Sequence, residues 1–284
     1  MEKELDFCFY GGFTAMAKRD GMEATAAWAS GKGFRSVEFY EEATEAWQPT
    51  AQDFAHARKL KAHLSDRGLK TACYSLFACL YGESADESER LLLKHAEYAA
   101  ELGSPFLHHT LIGWLDLPPN APSYEDALDE VTERAARIAR RCKQLGLLCL
   151  YEEQGLYFNG VNGLGRFLKE LKTQCDNVGV CGDMGNILFA DEAPDEFFKA
   201  FQHEIRHVHL KDYFRAKAPT PDKAWYKTAG GNYLADAKLG EGIVPFEKCL
   251  AALKEAGYQG AYSFELASID HFDEGLAFAK KLFI

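Results

Sequence analysis

The chain has 284 residues, of which 47% are hydrophobic, so it can bury either one large core or the cores of two average domains. Its formal net charge of −11 argues against the broad basic surface that nucleic-acid binding needs, and it favours a small-molecule partner. No apolar run is long enough to span a membrane, no signal peptide begins the chain, and eight scattered cysteines without a C-x-x-C pair indicate reduced thiols, so we expect a cytoplasmic protein.

Short β-like runs alternate with longer stretches that have apolar residues at three-to-four spacing, which is the pattern of a repeated βα unit. Eight such runs follow in chain order: LDFCFY (5–10), RSVEFY (35–40), LKTACYS (69–75), PFLHHT (105–110), LLCLYE (147–152), NVGVCGD (177–183), IRHVHL (205–210) and AYSFEL (261–266). The stretch 123–146 is typical of the intervening helices, because it has acidic residues early, basic residues late and a terminal glycine.

Eight βα units without a break in composition predict an α/β fold, a single closed (β/α)8 TIM barrel that comprises residues 1–284. An open, doubly wound sheet is the alternative, but no glycine fingerprint follows the first strand. Residues 213–242, after the seventh strand, look irregular, and we expect a long loop that covers the active site. Glycines stand where helices would end, as C-caps do: Gly68, Gly103, Gly146 and Gly257.

Four polar residues lie at or near the carboxyl ends of neighbouring strands: Glu152, Asp183, His209 and Glu265. The active site of such a barrel lies at that end, so these side chains can meet on one side of its mouth. Three carboxylates and one imidazole form a hard ligand set that suits Mn²⁺, Mg²⁺ or Co²⁺, with Zn²⁺ as an alternative. Both faces of strand five are apolar, so periodicity does not choose between Glu152 and Glu153.

Four strand motifs resemble those of the sugar phosphate isomerase/epimerase family, which has a xylose isomerase-like TIM barrel. The motifs are LGLLCLYEE (145–153), VGVCGDMGN (178–186), IRHVHLKD (205–212) and YQGAYSFEL (258–266). The family includes ketose 3-epimerases, hydroxypyruvate isomerase and inosose dehydratase. The likeness extends over the eight-unit layout and indicates the superfamily far more strongly than it indicates a substrate.

The resemblance implies that the four strand-end residues hold a divalent metal ion, and that Glu152 and Glu265 also act as acid/base groups. Asn186 stands where many relatives have a substrate-contacting histidine, a departure that leaves the epimerase subclass open. Arg215 matches the position at which ketose epimerases have an arginine that orients the substrate.

Further candidate substrate contacts are Lys211 and Asp212, which complete the HLKD motif, together with Glu38 on strand two and His109 on strand four. His207 has the same parity as His209, so we expect it one layer deeper in a supporting role. A plainer interpretation stays open for several of these residues. Lys211, Asp212 and Arg215 could form only ion pairs above the rim, and His108 and His109 could both be packing residues.

The resemblance implies a metal-dependent isomerase or epimerase that removes a proton beside the carbonyl of a sugar or keto-polyol through a metal-stabilised enediolate. An inosose dehydratase-like lyase would use the same cation and base but expel a hydroxyl group. An AP-endonuclease-like hydrolase would need more metal ligands and a basic rim, and a non-catalytic sugar-binding barrel would leave a costly cluster of uncompensated carboxylates. Barrels of this family are often homodimers or homotetramers, so either assembly is possible here, and the sequence leaves the oligomeric state open.

Overall fold

The computed structural model describes residues 5–42 and 49–283. Eleven strands occur in these ranges: β1 Phe7–Tyr10, β2 Ser36–Glu42, β3 Lys70–Phe77, β4 Phe106–His109, β5 Leu148–Tyr151, β6 Val178–Asp183, β7 Ile205–Leu210, β8 Asp212–Ala216, β9 Tyr226–Lys227, β10 Tyr233–Ala237 and β11 Tyr262–Phe264. Eight of them close into a parallel barrel in the order β1-β11-β7-β6-β5-β4-β3-β2, and these are the eight predicted strands. The predicted (β/α)8 barrel is therefore confirmed.

Helices in the same ranges surround the barrel: α1 Gly12–Asp20, α2 Met22–Lys32, α3 Ala51–Ser65, α4 Ala85–Leu102, α5 Tyr124–Gln144, α6 Gly160–Leu171, α7 Pro194–Phe201, α8 Phe246–Glu255 and α9 Phe272–Leu282. Short 3₁₀ helices span Asn186–Ala190 and Ile269–His271. The helix predicted at 123–146 is α5, and the Ser123 hydroxyl caps it by accepting the Asp126 backbone N–H. Gly146 follows its end with a φ of 76°, a conformation that favours glycine.

The barrel strands are apolar on both faces, because helices cover the outer face and side chains fill the interior. Between barrel and helices, Tyr151 on β5 meets Phe167 on α6 edge to face, with ring centroids 5.1 Å apart. A smaller cluster fills the interior: Cys73, Phe106, Leu148, Leu150 and Cys181. Polar side chains lie above this apolar layer, towards the carboxyl ends of the strands.

The segment after β7 contains a small antiparallel sheet, in the order β8-β10-β9. The expectation of a wholly irregular loop at 213–242 is therefore wrong, because β8 and β10 pair along five residues of each strand. The carboxylate of Asp212 fixes the return of this segment to the barrel, since it accepts the backbone N–H groups of Gly240 and Gly242. A Cβ at Gly242 would collide with that carboxylate, so the close approach requires glycine.

Within the described ranges, no helix combines the length and the apolar character needed to cross a membrane. All eight cysteines are free thiols, and six of them are buried.

Candidate active site

The structure brings together the four residues singled out at the strand ends. Glu152 follows β5, Asp183 ends β6, His209 is the penultimate residue of β7, and Glu265 follows β11. One ligand atom from each residue lies within 4.8 Å of the other three. The Nδ1 atom of His209 is central, at 3.0 Å from Glu152 Oε1, 3.0 Å from Glu265 Oε2 and 3.8 Å from Asp183 Oδ2.

The chemistry of this donor set fits a divalent cation. Asp183 is fully buried, and its Oδ2 atom has no hydrogen-bond partner among the described residues. Its Oδ1 atom accepts the backbone N–H groups of Gly185 and Asn186, which fix the carboxylate in place. Burial, together with the neighbouring Glu265, raises the pKa of Asp183 well above its usual range. A bound cation would offset the repulsion among these carboxylates.

The orientation of His209 explains why Nδ1 faces the acids. Its other nitrogen, Nε2, lies 3.0 Å from Glu38 Oε1 and 3.5 Å from Cys181 Sγ. The Tyr10 ring stacks on the imidazole, with centroids 4.9 Å apart and planes at 20°. The ring is therefore held on three sides, so that Nδ1 is presented to the acid cluster.

Glu38 and His207 lie beneath this cluster, inside the barrel. Glu38 is fully buried, and its Oε2 atom lies 2.6 Å from His207 Nε2. Burial alone would raise the pKa of Glu38, but His209 and His207 outweigh it and hold the pKa well below its usual range. The structure thus places His207 one layer below His209, and it gives Glu38 histidine partners in the interior rather than the predicted contact with substrate.

A cavity of about 190 Å³ opens above the acids. Its lining residues are Tyr10, Gly11, Tyr40, Ser75, Leu76, His108, Thr110, Glu152, Gln154 and Glu265. Glu152 and Glu265 thus have access both to the ligand cluster and to the cavity. The remaining lining residues include four polar side chains that were not assigned to the site from the sequence: Ser75, His108, Thr110 and Gln154.

The histidine of strand four that faces the cavity is His108, not His109, so the prediction of His109 as a pocket residue is wrong. His109 points to the other face of β4, where its ring meets Tyr151 edge to face at 5.1 Å and its Nδ1 lies 3.1 Å from the Thr110 carbonyl oxygen. Burial lowers the pKa of His109 to about 4. It is a neutral packing residue between the barrel and the helices.

Glu152 and Glu153 have different surroundings after the end of β5. Glu152 lines the cavity, whereas Glu153 is fully buried and its Oε1 atom accepts the Asp183 backbone N–H at 2.9 Å. Burial and the charges of Glu152 and Asp183 raise the pKa of Glu153 well above its usual range. Glu153 therefore supports the end of β6 through the Asp183 backbone and does not line the cavity.

Lys211 belongs to the cluster through Glu265. Its ammonium group lies 2.5 Å from Glu265 Oε1, and its side chain is largely buried. Burial raises the pKa of Glu265, but Lys211 and His209 outweigh burial and hold the pKa well below its usual range. Glu265 is thus an ionised carboxylate with one oxygen towards Lys211 and the other towards His209.

Asn186 also lies beside the acids. Its side-chain oxygen accepts the Tyr213 hydroxyl at 3.2 Å, whereas its Nδ2 atom is buried and has no hydrogen-bond partner among the described residues. A buried amide donor without an acceptor is available to a ligand.

Asp212 and Arg215 have other partners. Both oxygens of Asp212 are occupied by backbone N–H groups, so this residue fixes the loop instead of contacting substrate as predicted. Arg215 lies on β8 and donates to Asp191 Oδ1 at 2.7 Å. Asp191 follows the 3₁₀ helix after β6, so the ion pair ties the small sheet to that helix.

Comparison with known proteins adds three findings. A family model described as "Xylose isomerase-like TIM barrel" matches residues 26–282. The inosose dehydratase of Lacticaseibacillus casei is 24% identical over 218 residues, which cover 72% of this chain and 71% of that protein. Two crystal structures share the fold: the 3-keto-D-glucoside 4-epimerase YcjR of E. coli, and the IolI protein with a bound zinc atom.

The YcjR structure has a TM-score of 0.73 at 14% identity, and the match covers 99% of each chain. The IolI structure has a TM-score of 0.71 at 14% identity and covers 98% of this chain and 96% of that one. At such identities the likeness demonstrates a common fold and leaves the reaction to be argued from the site.

Proposed function

The chain belongs to the family of xylose isomerase-like TIM barrels, and on that premise we propose that it is a divalent-metal-dependent isomerase or epimerase of a sugar or keto-polyol. Its first step is removal of a proton from the carbon beside the carbonyl group. The observation that carries the proposal is the cluster of Glu152, Asp183, His209 and Glu265, whose ligand atoms lie within 4.8 Å of one another. The named activities of relatives support the same chemistry, since an epimerase and an inosose dehydratase are among them.

Glu152, Asp183, His209 and Glu265 would hold the metal ion. This donor set of three carboxylates and one imidazole suits Mn²⁺, Mg²⁺ or Co²⁺. The zinc atom in the IolI structure makes Zn²⁺ an alternative. When bound, the ion polarises the substrate carbonyl and stabilises the negative charge that develops on its oxygen.

The two glutamates are placed to move the proton. Glu152 Oε1 and Glu265 Oε2 each lie 3.0 Å from His209 Nδ1, and both side chains line the cavity. One glutamate, as the carboxylate, removes the proton from carbon, and the other, after taking up a proton from solvent, returns it either to the neighbouring carbon or to the opposite face of the same carbon. Lys211 holds one oxygen of Glu265, which leaves the other oxygen directed at the cluster.

A dehydratase is the second candidate, because the inosose dehydratase of Lacticaseibacillus casei covers 72% of this chain. The proton would be removed in the same way, but a hydroxyl group on the adjacent carbon would then leave. The product would be lighter than the substrate by one molecule of water, whereas an isomerase or epimerase leaves the mass unchanged.

Proton exchange tests the shared first step. The protein, loaded separately with Mg²⁺ and Mn²⁺, is incubated in D₂O with ketoses, hydroxypyruvate and keto-inositols, and deuterium at carbon is followed by NMR. Metal-dependent exchange is expected, and mass spectrometry of the product then separates isomerisation from loss of water. Absence of exchange from every compound, with the metal bound, would contradict the proposal for these substrate classes.

Glu152→Gln and Glu265→Gln should each lower the exchange rate by about 100-fold or more, the usual contribution of a positioned acid or base. Glu153→Gln is the matched control, because it makes the same change at the adjacent residue without reaching the cavity. Metal content is measured in all three variants, so that loss of proton transfer is distinguished from loss of the ion. Rates like those of the unmodified protein in either cavity variant would exclude the two-carboxylate mechanism.

A further inference from the structure

The carboxylate of Glu38 is surrounded by four hydrogen-bond donors, although it lies in the interior of the barrel. Oε1 accepts from the Ser75 hydroxyl at 2.5 Å and faces His209 Nε2 at 3.0 Å. Oε2 accepts from the Ser263 hydroxyl and faces His207 Nε2. A carboxylate has room for about four donors, so the lone pairs of Glu38 are fully engaged. All four neighbours must therefore direct a hydrogen towards it.

For His209 this arrangement fixes the tautomer. Because Nε2 carries the hydrogen that points to Glu38, the lone pair of the neutral ring is on Nδ1. Nδ1 is also the nitrogen that lies among the three carboxylates. The interior carboxylate and the ligand cluster thus use opposite sides of the same ring.

For His108 the same carboxylate acts through Ser75. The single hydroxyl hydrogen of Ser75 is directed to Glu38, so the Ser75 oxygen can only accept from His108 Nδ1, which lies 3.0 Å away. The Sγ atom of Cys73 lies 3.6 Å from the same oxygen. Because the Ser75 hydrogen is directed to Glu38, the Cys73 S–H group is the donor in this contact and does not change the direction of the Ser75 hydroxyl. The hydrogen of neutral His108 is therefore on Nδ1, and its lone pair is on Nε2.

That lone pair points to the cavity without a partner. His108 Nε2 is buried and has no hydrogen-bond partner among the described residues, and Glu152 Oε2, at 3.5 Å, is itself an acceptor. An acceptor beside an acceptor requires a donor from outside. A hydroxyl group of a ligand in the cavity supplies one.

We propose that Glu38 is a positioning residue that sets the tautomers of both site histidines, so that His209 presents Nδ1 to the metal ion and His108 presents Nε2 to a substrate hydroxyl beside the reacting carbonyl. The part of this inference that concerns the substrate rests on the proposed function, whereas the part that concerns the tautomers does not. The proposal specifies a polyhydroxylated substrate that has a free hydroxyl group beside the reacting carbonyl. His108 is then the residue that recognises that hydroxyl group.

The experiment reads the tautomers directly in Zn²⁺-loaded protein with ¹⁵N-labelled histidine, by long-range ¹H–¹⁵N NMR, with signals assigned from the His108→Gln and His209→Gln variants. The expected result is hydrogen on Nε2 of His209 and on Nδ1 of His108. Hydrogen on Nε2 of His108, or on Nδ1 of His209, in the unmodified protein would overturn the proposal.

Two serine variants provide a matched pair, because Ser75→Ala and Ser263→Ala each remove one hydroxyl donor from the same carboxylate. Ser75→Ala should shift His108 towards the other tautomer and raise KM for an exchanging ketose by about tenfold, the cost of one hydrogen bond. Ser263→Ala should leave the His108 tautomer unchanged. Equal behaviour of the two variants would exclude the link through Ser75.

Glu38→Gln tests the effect of Glu38 on the metal-binding residue His209. It should lower the affinity for Zn²⁺, measured by competition with a chelator, by about 10-fold to 100-fold, as loss of a hydrogen-bond partner to a ligating histidine does. Unchanged affinity would refute the role at His209, and the serine pair still decides the role at His108 if this variant does not fold. The tautomers are observed without turnover, so failure of the proposed reaction and failure of the positioning role give different results.

Discussion

Replacement of Asp212 by asparagine tests whether this residue supports the fold or binds substrate. Its Oδ1 atom accepts the backbone N–H groups of Tyr213 and Val244 at 2.9 and 3.1 Å, and its Oδ2 atom accepts those of Gly240 and Gly242 at 3.0 and 2.9 Å. Asparagine keeps one oxygen but places an amide N–H₂ group against the other two donors. Two hydrogen bonds to a charged acceptor are therefore lost.

A buried donor left without its acceptor costs about 1–3 kcal/mol. Gly240 and Gly242 lie near solvent that can replace part of the loss, so we expect about 2–4 kcal/mol for the pair. At about 2 °C of Tm per kcal/mol for a chain of this size, the Tm of Asp212→Asn should fall by about 4–8 °C.

Thermal unfolding followed by circular dichroism measures this change. Asp222→Asn is the control, because it removes the same charge from the same segment at a side chain that is 65% exposed. We expect its Tm to equal that of the unmodified protein. If Asp212→Asn melts like the control but raises KM for the exchanging compound about tenfold, Asp212 contacts substrate and the structural role argued here is wrong.

Three further predictions concern charge and metal. Glu153→Gln should keep its metal content and its rate of proton exchange, because Glu153 does not line the cavity and glutamine keeps the oxygen that accepts the Asp183 backbone N–H; loss of the bound metal would contradict this. Arg137 and Arg134 hold the pKa of Glu89 below its ordinary value of 4.5, so their stabilisation is fully present above that pH and is lost as the pH falls through the lower folded value. In urea unfolding, Glu89→Gln should therefore cost about 1 kcal/mol at about pH 7 and progressively less as the pH falls below 4.5, and a cost that does not decline in acid would refute the assignment. Removal of metal by a chelator should lower the Tm by about 5 °C, reversibly on addition of Mn²⁺, because an ion at 100 times its Kd contributes about 2.7 kcal/mol to the folded state; an unchanged Tm would contradict a resident ion.

The eight strands and the four strand-end residues could be predicted from the sequence because both depend on local signals. Each βα unit has its own apolar period, and parallel strands of one barrel direct their carboxyl ends to the same side. The small sheet could not be predicted in this way. Residues 212–216 and 233–237 pair with each other across an intervening segment, and neither strand has a long apolar alternation that would identify it alone.

Errors in the assignment of single residues have a different cause, namely adjacent polar residues on strands that are apolar on both faces. His108 and His109 are neighbours on β4, and only His108 faces the interior. Phe106, two residues earlier on the strand, faces the same way, and its ring centroid lies 6.3 Å from that of His207. Lys211 and Asp212 show the same alternation at the end of β7, since Lys211 reaches Glu265 whereas Asp212 turns to the backbone of the loop. A sequence pattern with apolar residues on both faces specifies that one residue of each pair enters the site, but it does not specify which. The choice follows from the barrel, because its closure fixes which face of every strand is inside. The same closure places Glu38 below both His209 and Ser75, where one carboxylate can set the tautomers of His209 and, through Ser75, of His108.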